Sequence, residues 1–413
     1  MPQPDTDFDV VIVGGGAAGI GAARRLASSG HSTLLLEAGT RLGGRGFTHE
    51  IAGLELDLGC GWLHSAEKNA WAQIAKASGT PLHRGPAAWG TQFRDLGFSA
   101  AERSEARRAF DAWMQRLATV RDASDRAADA LDPASPWNSY IQAVVGFISG
   151  GRLDQMSAAD YLAYDEASTD SNWRVLPGYG ALIASGFPAG ITLRLATPVQ
   201  SLGFEAARVR ITTPAGGIRA RAVIMTVSTA VLTGDTIKLP AALDEWRDAA
   251  ANLPLGRDEK FFLEIVGEAP FENETQVLGN PRDPCTASYY IRPLGRPVIE
   301  CYFGGDGARA VEESGTSEGF ALALDQLATL FGADIRGQLR PLIASAWSRS
   351  IRVGGAYSYA LPRQAGARQR LSRPFEQKLF FAGEATCADE FSTAHGAYDS
   401  GVRAAEEVLS ALS

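Results

Sequence analysis

The sequence predicts an α/β protein (α+β overall). One domain carries a parallel sheet, and a second sheet-and-helix domain accompanies it. Three observations carry this. The chain has 413 residues, enough for about two or three domains at roughly 150 residues each. Its first apolar run, FDVVIV, reads as a short buried strand ended by glycine, then a helix and another strand. Further strand-like runs recur far downstream of that unit. The composition, 45% hydrophobic and 21% charged, is ordinary for a globular chain and excludes chain-wide disorder. Glycine is in excess, at 45 residues, with no collagen-like period. Such glycines serve turns and close backbone approaches.

The elements follow in order. Phe8–Val13 is the first strand, Ala17–Ser29 a helix with Gly30 as its C-cap, and Ser32–Glu37 the next strand. Together they make a βαβ unit of about 30 residues. A long helical stretch lies between Ser99 and Asp132. Ser99 and Glu102 form a capping-box pattern, and Phe110, Trp113, Met114, Leu117 and Val120 recur at helical spacing as a core-facing stripe. Strand-like segments return at Ile191–Leu195, Arg208–Thr212 and Ala222–Val227, and another set at Lys260–Val266 and Val298–Phe303. These suggest a second sheet carried by a separate domain. LDPASP at 131–136 and LPGYG at 176–180 read as loops or crossings between domains. Lys378–Ala382 is a final buried strand, and Ala397–Leu412 a closing helix.

Bulk properties exclude several functions. The net charge of −8 argues against a general nucleic-acid binder. Cys60, Cys285, Cys301 and Cys387 form no C-x-x-C pair, and the five histidines lack metal-ligand spacing, so no metal is expected. A reduced, cytoplasmic protein is the simplest reading. The N-terminus lacks the basic region of a signal peptide, and no run of about 18 apolar residues predicts a membrane span.

Gly14, Gly16 and Gly19 form G-x-G-x-x-G directly between strand and helix. The first glycine permits the tight turn. The second lets backbone approach a pyrophosphate, and the third lets helix pack on strand. The helix N-terminus then offers free N–H groups to an anion. Glu37 ends the second strand, where an acceptor for ribose hydroxyls belongs. The chain continues AGTRLGGRG, in which Gly43 and Gly44 allow another close approach. Arg41 and Arg45 could donate to phosphate.

From Glu37 onward, E-A-x-x-R-x-G-G-R resembles the second flavin-contact motif of the flavin amine oxidase superfamily. The resemblance implies a Rossmann-like FAD-binding domain, with Glu37 on the adenosine ribose and Arg45 near the pyrophosphate. FAGEAT, Phe381–Thr386, is similar to the family's C-terminal FAD segment. Thr393–Gly401 is similar to its closing segment. The implied cofactor contacts thus add Gly383, Glu384, Thr393 and Ala394. Ala18, Ala38, Gly61, Trp62 and Val199 complete that set. The implied division assigns 1–75, 180–256 and 350–413 to a discontinuous FAD-binding domain. Residues 76–179 and 257–349 fall to the substrate-binding domain.

Residues implied to lie near the flavin point to amine oxidation. Asp57–His64, DLGCGWLH, resembles the D-x-G-x-x-W-[IL]-H stretch of polyamine oxidases, in which His64 would face the substrate channel and help orient an amine. The family's lysine that holds a water against the flavin corresponds to Lys260, within EKFFLE. Trp347 and the segment GGAYSY, Gly354–Tyr359, resemble the family's W…G-[SG]-x-Y-S stretch. Monoamine oxidases carry a covalent flavin cysteine there. This chain has Ala356, which implies non-covalent FAD. Tyr357 would form one side of an aromatic cage, with Thr393 opposite, as in polyamine oxidases and lysine-specific histone demethylases. On residue chemistry alone, Trp62 and Tyr357 also read as core aromatics. His64 also reads as a structural histidine, and Lys260 as a strand-edge lysine facing solvent. Two departures stand out: Thr226-Val227-Ser228 replaces the family's T-V-P, and Ser65 replaces a glycine.

The implied reaction passes hydride from the α-carbon of a polyamine or secondary amine to FAD. The imine then hydrolyses to an aldehyde or ketone, and dioxygen is reduced to hydrogen peroxide. Two alternatives stay open. One is an L-amino-acid oxidase or desaturase on the same frame. An amino-acid oxidase needs an arginine clamp, for which Arg84, Arg94, Arg152 and Arg174 are available. The other is a non-catalytic, FAD-stabilised interaction protein, which Lys260, Trp347 and Tyr357 disfavour. Asp154, Asp160 and Asp165 read as solvated helix charges.

Overall fold

A computed structural model describes residues 6–267 and 271–413. Thr6–Val13 forms the first strand, and its apolar residues from Val10 to Val13 are buried. It pairs in parallel with Thr33–Leu36 on one side and with Gly216–Met225 on the other. The edge strand Thr192–Arg194 and the short strand Leu379–Phe381 extend the parallel part. Ser201–Phe204 and Val209–Thr213 add an antiparallel meander, which makes a seven-stranded mixed sheet.

The strand-like runs between 191 and 227 therefore join the first sheet. Of the two sets only the later one enters the second sheet, which also takes three strands that the sequence reading did not name. Its order is Thr275–Leu278, Ala287–Ile291, Val298–Gly304, Asp258–Ile265 and Leu339–Ala344, all antiparallel. The helix Thr316–Phe331 covers one face of it through Phe320, Ala323 and Leu327.

Helix ends depart from the sequence reading in three places, one being the closing helix, which begins at Ala394 rather than Ala397. The first helix spans Ala17–Leu26, and Gly30 lies in the turn beyond it at φ +78°. The long helix spans Ala100–Asp122 with the expected Ser99–Glu102 capping box, and stops short of residue 132. Asp125 anchors the break, accepting from Ser157 Oγ at 2.7 Å and Ala159 N at 2.8 Å. Trp113 and Leu117 are the deeply buried part of its apolar stripe.

The closing helix, Ala394–Leu412, lies against the first helix. The close crossing requires glycine on both sides. A Cβ at Gly21 would collide with the Tyr398 carbonyl, and one at Gly401 with that of Ala18. Among the described residues no helix is long and apolar enough to cross a membrane, and no three His, Cys, Asp or Glu side chains gather as metal ligands would.

Candidate active site

The glycine loop and the arginine-glycine loop meet back to back. Gly14 adopts φ +112°, Gly43 +102° and Gly44 +57°. Gly43 N donates to Gly15 O at 2.8 Å. A Cβ at Gly44 would stand 3.1 Å from Gly16 Cα. Helix Ala17–Leu26 starts at Gly16 with no side-chain cap and no acidic residue in its first turn. Its N–H groups thus suit an anion. Glu37 accepts from Gly15 N and Gly39 N, each at 2.6 Å, one on each carboxylate oxygen. Each oxygen keeps a lone pair for a hydroxyl.

Arg41 is spent on the loop itself. It donates to Leu42, Gly44 and Gly46 carbonyls and lies over the Phe47 ring. Arg45 alone reaches across the chain, donating to Ala356 O and pairing with Glu384 at 3.0 Å. Burial alone would raise the Glu384 carboxyl, but Arg45 and Arg368 outweigh it and hold it below its usual range. Arg45, Thr229, Gly383 and Glu384 line one recess, in which the buried Thr229 hydroxyl has no partner. Flexed glycines, an uncapped helix start, an arginine and an unpaired hydroxyl fit an extended dinucleotide flavin.

The other contacts implied for the cofactor are placed less directly. Ala18 is buried in the first helix and Val199 in the core beneath the first sheet, so Val199 could meet a ligand only through its backbone. Ala38 follows Glu37 and is half-buried. Ala394 O accepts from Trp71 Nε1 at 3.0 Å.

The two family departures have local reasons. Ser228 caps the helix Thr229–Thr233 and donates to Val353 O at 2.6 Å. Ser65 takes φ +47°, a conformation that favours glycine, and its hydroxyl accepts from Thr169 N at 3.1 Å.

The loop Asp57–His64 gathers the residues expected to act. The Asp57 carboxylate fixes the loop by accepting from Tyr179 N at 2.9 Å and Gly180 N at 3.1 Å. Lys260 Nζ donates to Asp57 O at 3.1 Å. A Cβ at Gly61 would lie 3.1 Å from that ammonium, so the glycine lets it approach. Trp347 Nε1 donates to Leu58 O at 3.0 Å. Trp62 faces the second sheet, stacked with Tyr290 and edge-on to Trp89.

His64 Nδ1 lies 2.7 Å from Asn172 Oδ1, while Asn172 Nδ2 donates to Asp170 O at 3.1 Å. That amide orientation puts the imidazole proton on Nδ1 and leaves Nε2 as an acceptor. Burial lowers the His64 pKa, and the Lys260 charge lowers it further. Thr393 caps the closing helix, accepting from Gly396 N at 3.0 Å. His64, Tyr164, Glu390 and Thr393 line a second recess with Lys68 and His395. The Lys68 ammonium pairs with Glu390 at 2.8 Å.

Lys260 is buried and does not turn to solvent. Glu300, on the neighbouring strand, holds it at 2.9 Å, and Arg174 stands 3.7 Å from the same carboxylate. Burial would raise the Glu300 carboxyl, yet the two cations keep it below its usual range. Glu259 accepts from Trp347 N at 2.6 Å and from the Ser345 hydroxyl. Burial, with Glu312 beside it, pushes its carboxyl up to about 8. The folded chain then keeps a proton that the unfolded chain loses above about pH 4.5. Stability should therefore fall as pH rises from about 4.5 to 8 and level off beyond. Glu259→Gln should flatten that slope in thermal melts across this range, and an unaltered slope would refute the assignment.

The sequence reading missed a third set of residues. Asp160 is not a solvated charge but 2% exposed. It accepts from Arg368 Nε at 2.6 Å and Nη2 at 2.8 Å. Arg368 also donates to Ser358 Oγ at 2.9 Å, and Ser358 Oγ donates to Glu384 at 2.7 Å. Asp154 does remain at the surface, paired with Arg152 at 3.1 Å.

Comparison with known proteins agrees with this geometry. Residues 80–409 match the family model described as flavin containing amine oxidoreductase, and residues 12–77 match an NAD(P)-binding Rossmann-like domain. The chain is 27% identical to polyamine oxidase 4 of Oryza sativa subsp. japonica, over 96% of this chain and 88% of that protein. It is 27% identical to polyamine oxidase 2 of Arabidopsis thaliana, over 96% and 87%. A cofactor-binding redesign of putrescine oxidase shares the fold, with a TM-score of 0.75 at 17% identity, covering 98% of this chain and all of the other. With its glycine loops, buried lysine and family match in agreement, the chain belongs to the flavin-containing amine oxidase family.

Proposed function

We propose that this enzyme oxidises a polyamine or secondary amine, with FAD held non-covalently and dioxygen as the acceptor. The observation that carries the substrate class is the recess between His64 and Thr393. Within it His64 Nε2 is left to accept an N–H donor, and Glu390 adds a carboxylate whose charge Lys68 offsets at 2.8 Å. Three of the four arginines available to clamp a carboxylate are otherwise engaged. Arg152 pairs with Asp154 and Asp306, and Arg94 with Glu272, while Arg174 stands 3.7 Å from Glu300 and keeps a buried Nη1 without a hydrogen-bond partner among the described residues. Arg84 lies over the Trp173 ring.

When bound, the flavin supplies a two-electron acceptor for hydride from the amine α-carbon and returns the electrons to dioxygen. The protein's part is orientation and electrostatics. The aromatic walls exclude water, which lowers an amine's pKa and favours the neutral form that can give up hydride. His64 Nε2 orients that amine by accepting its N–H. Lys260, anchored by Glu300, keeps a fixed positive charge beside the loop.

Anaerobic flavin bleaching tests the reading. Polyamines or secondary amines should bleach the flavin and then yield peroxide in air. Bleaching by amino acids alone would overturn it. Ala356 is buried where a tethering cysteine would be needed, so acid precipitation should release the flavin to the supernatant. Flavin retained in the pellet would overturn the non-covalent reading.

A further inference from the structure

Four consecutive ionisable residues, Arg257, Asp258, Glu259 and Lys260, stand at or just before the start of the strand Asp258–Ile265. The last three are buried. Each of the four addresses a different partner. Arg257 pairs with Glu312 at 2.8 Å, Glu259 holds the Trp347 backbone, and Lys260 pairs with Glu300. Among the described residues Asp258 has no counter-ion of its own. Its Oδ1 accepts from the Tyr302 hydroxyl at 3.0 Å, and its Oδ2 is a buried oxygen without a partner.

Tyr302 stands opposite Lys260 in the strand register. Its hydroxyl meets three groups: Asp258, the Phe147 carbonyl at 3.2 Å, and the Tyr357 hydroxyl. That carbonyl belongs to the last turn of the helix Asn138–Ser149, where carbonyls lack helical partners. The phenol of Tyr357 is thus tied to a strand and to a helix end through one atom.

We propose that Asp258 and Tyr302 are positioning residues for Tyr357, fixing its ring and hydroxyl direction beside the reacting amine. The inference rests on the amine-oxidase reading of the site. Tyr302 acts through Tyr357 and touches no substrate itself. Burial raises the Asp258 carboxyl well above its usual range. The bond to Tyr302 uses only Oδ1, which an amide oxygen reproduces and a methyl group does not.

The test uses the flavin-loaded full chain and the best amine found by bleaching. Tyr302→Phe should lower kcat/KM about 10-fold, the scale of one lost hydrogen bond in a dry site. Asp258→Asn should stay within about twofold of the parent, while Asp258→Ala should fall as far as Tyr302→Phe. In a Tyr357→Phe background, Tyr302→Phe should have no further effect, because the cycle removes a shared interaction. Near-ultraviolet circular dichroism of the cofactor-free chain gives a readout independent of turnover. The two tyrosine substitutions should remove one coupled band and should not add. Additive effects in either measurement, or Asp258→Asn falling as far as Asp258→Ala, would overturn the proposal. Failure of every amine to bleach the parent would instead overturn the underlying reading.

Discussion

Lys260→Met should slow reoxidation by dioxygen about 100-fold while the chain keeps its flavin. Methionine nearly preserves the length of the side chain and removes the charge together with the bond to Asp57 O. Among the described residues, no glycine of the flavin loops, nor Glu37 or Arg45, hydrogen-bonds to Lys260, so cofactor affinity should survive. Stability will suffer too. Glu300 is buried and would keep Arg174, at 3.7 Å, and the weaker pull of Arg296. Breaking a buried pair costs about 3–5 kcal/mol, and the remaining guanidinium groups should hold the loss near the lower figure. Stopped-flow reoxidation and a denaturant melt separate the two effects. An unchanged reoxidation rate would remove Lys260 from the site.

Arg368→Met should cost about 3–5 kcal/mol of folding stability and weaken flavin binding as well. The guanidinium is 1% exposed and lies over the Phe391 ring. Without it, the Asp160 carboxylate keeps one donor, Ala360 N at 2.8 Å. Ser358 also loses the donor that orients it toward Glu384. The strain should pass from the helix Ala158–Ala167 to the cofactor loop. Adding Asp160→Asn should recover part of the stability, because it removes the stranded charge. A denaturant midpoint equal to the parent's would contradict this account.

Some of this was legible in the sequence because it is local. Gly14, Gly16, Gly19, Gly43 and Gly44 are dictated by backbone geometry over a few residues, and the capping box at Ser99 is equally short-ranged. The run from Arg257 to Lys260 also carried a signal. Charges beside FFLEI must find partners if the strand is buried. The identity of those partners was not legible. Glu300 and Tyr302 come from a neighbouring strand, and Arg368 lies far from Asp160 along the chain. Asp160 was further disguised by its own neighbourhood. It sits three residues after the capping Ser157, where an acid already has a local purpose. Three of the four strands between 191 and 227 were visible as strands, and Ser201–Phe204 was not. Their pairing with the first sheet depends on register across distant segments, which no local pattern records.

Thr393 joins two properties that look separate. Its hydroxyl starts the closing helix and donates to Glu390 O at 2.6 Å. The family resemblance implies that the same side chain stands across from Tyr357. A tyrosine there would surrender a cap worth about 1 kcal/mol. On that reading the breadth of the chamber would be inherited from the place where a helix begins. A chain that selects for a firm helix start at this point would acquire, in the same atom, room for a bulkier amine.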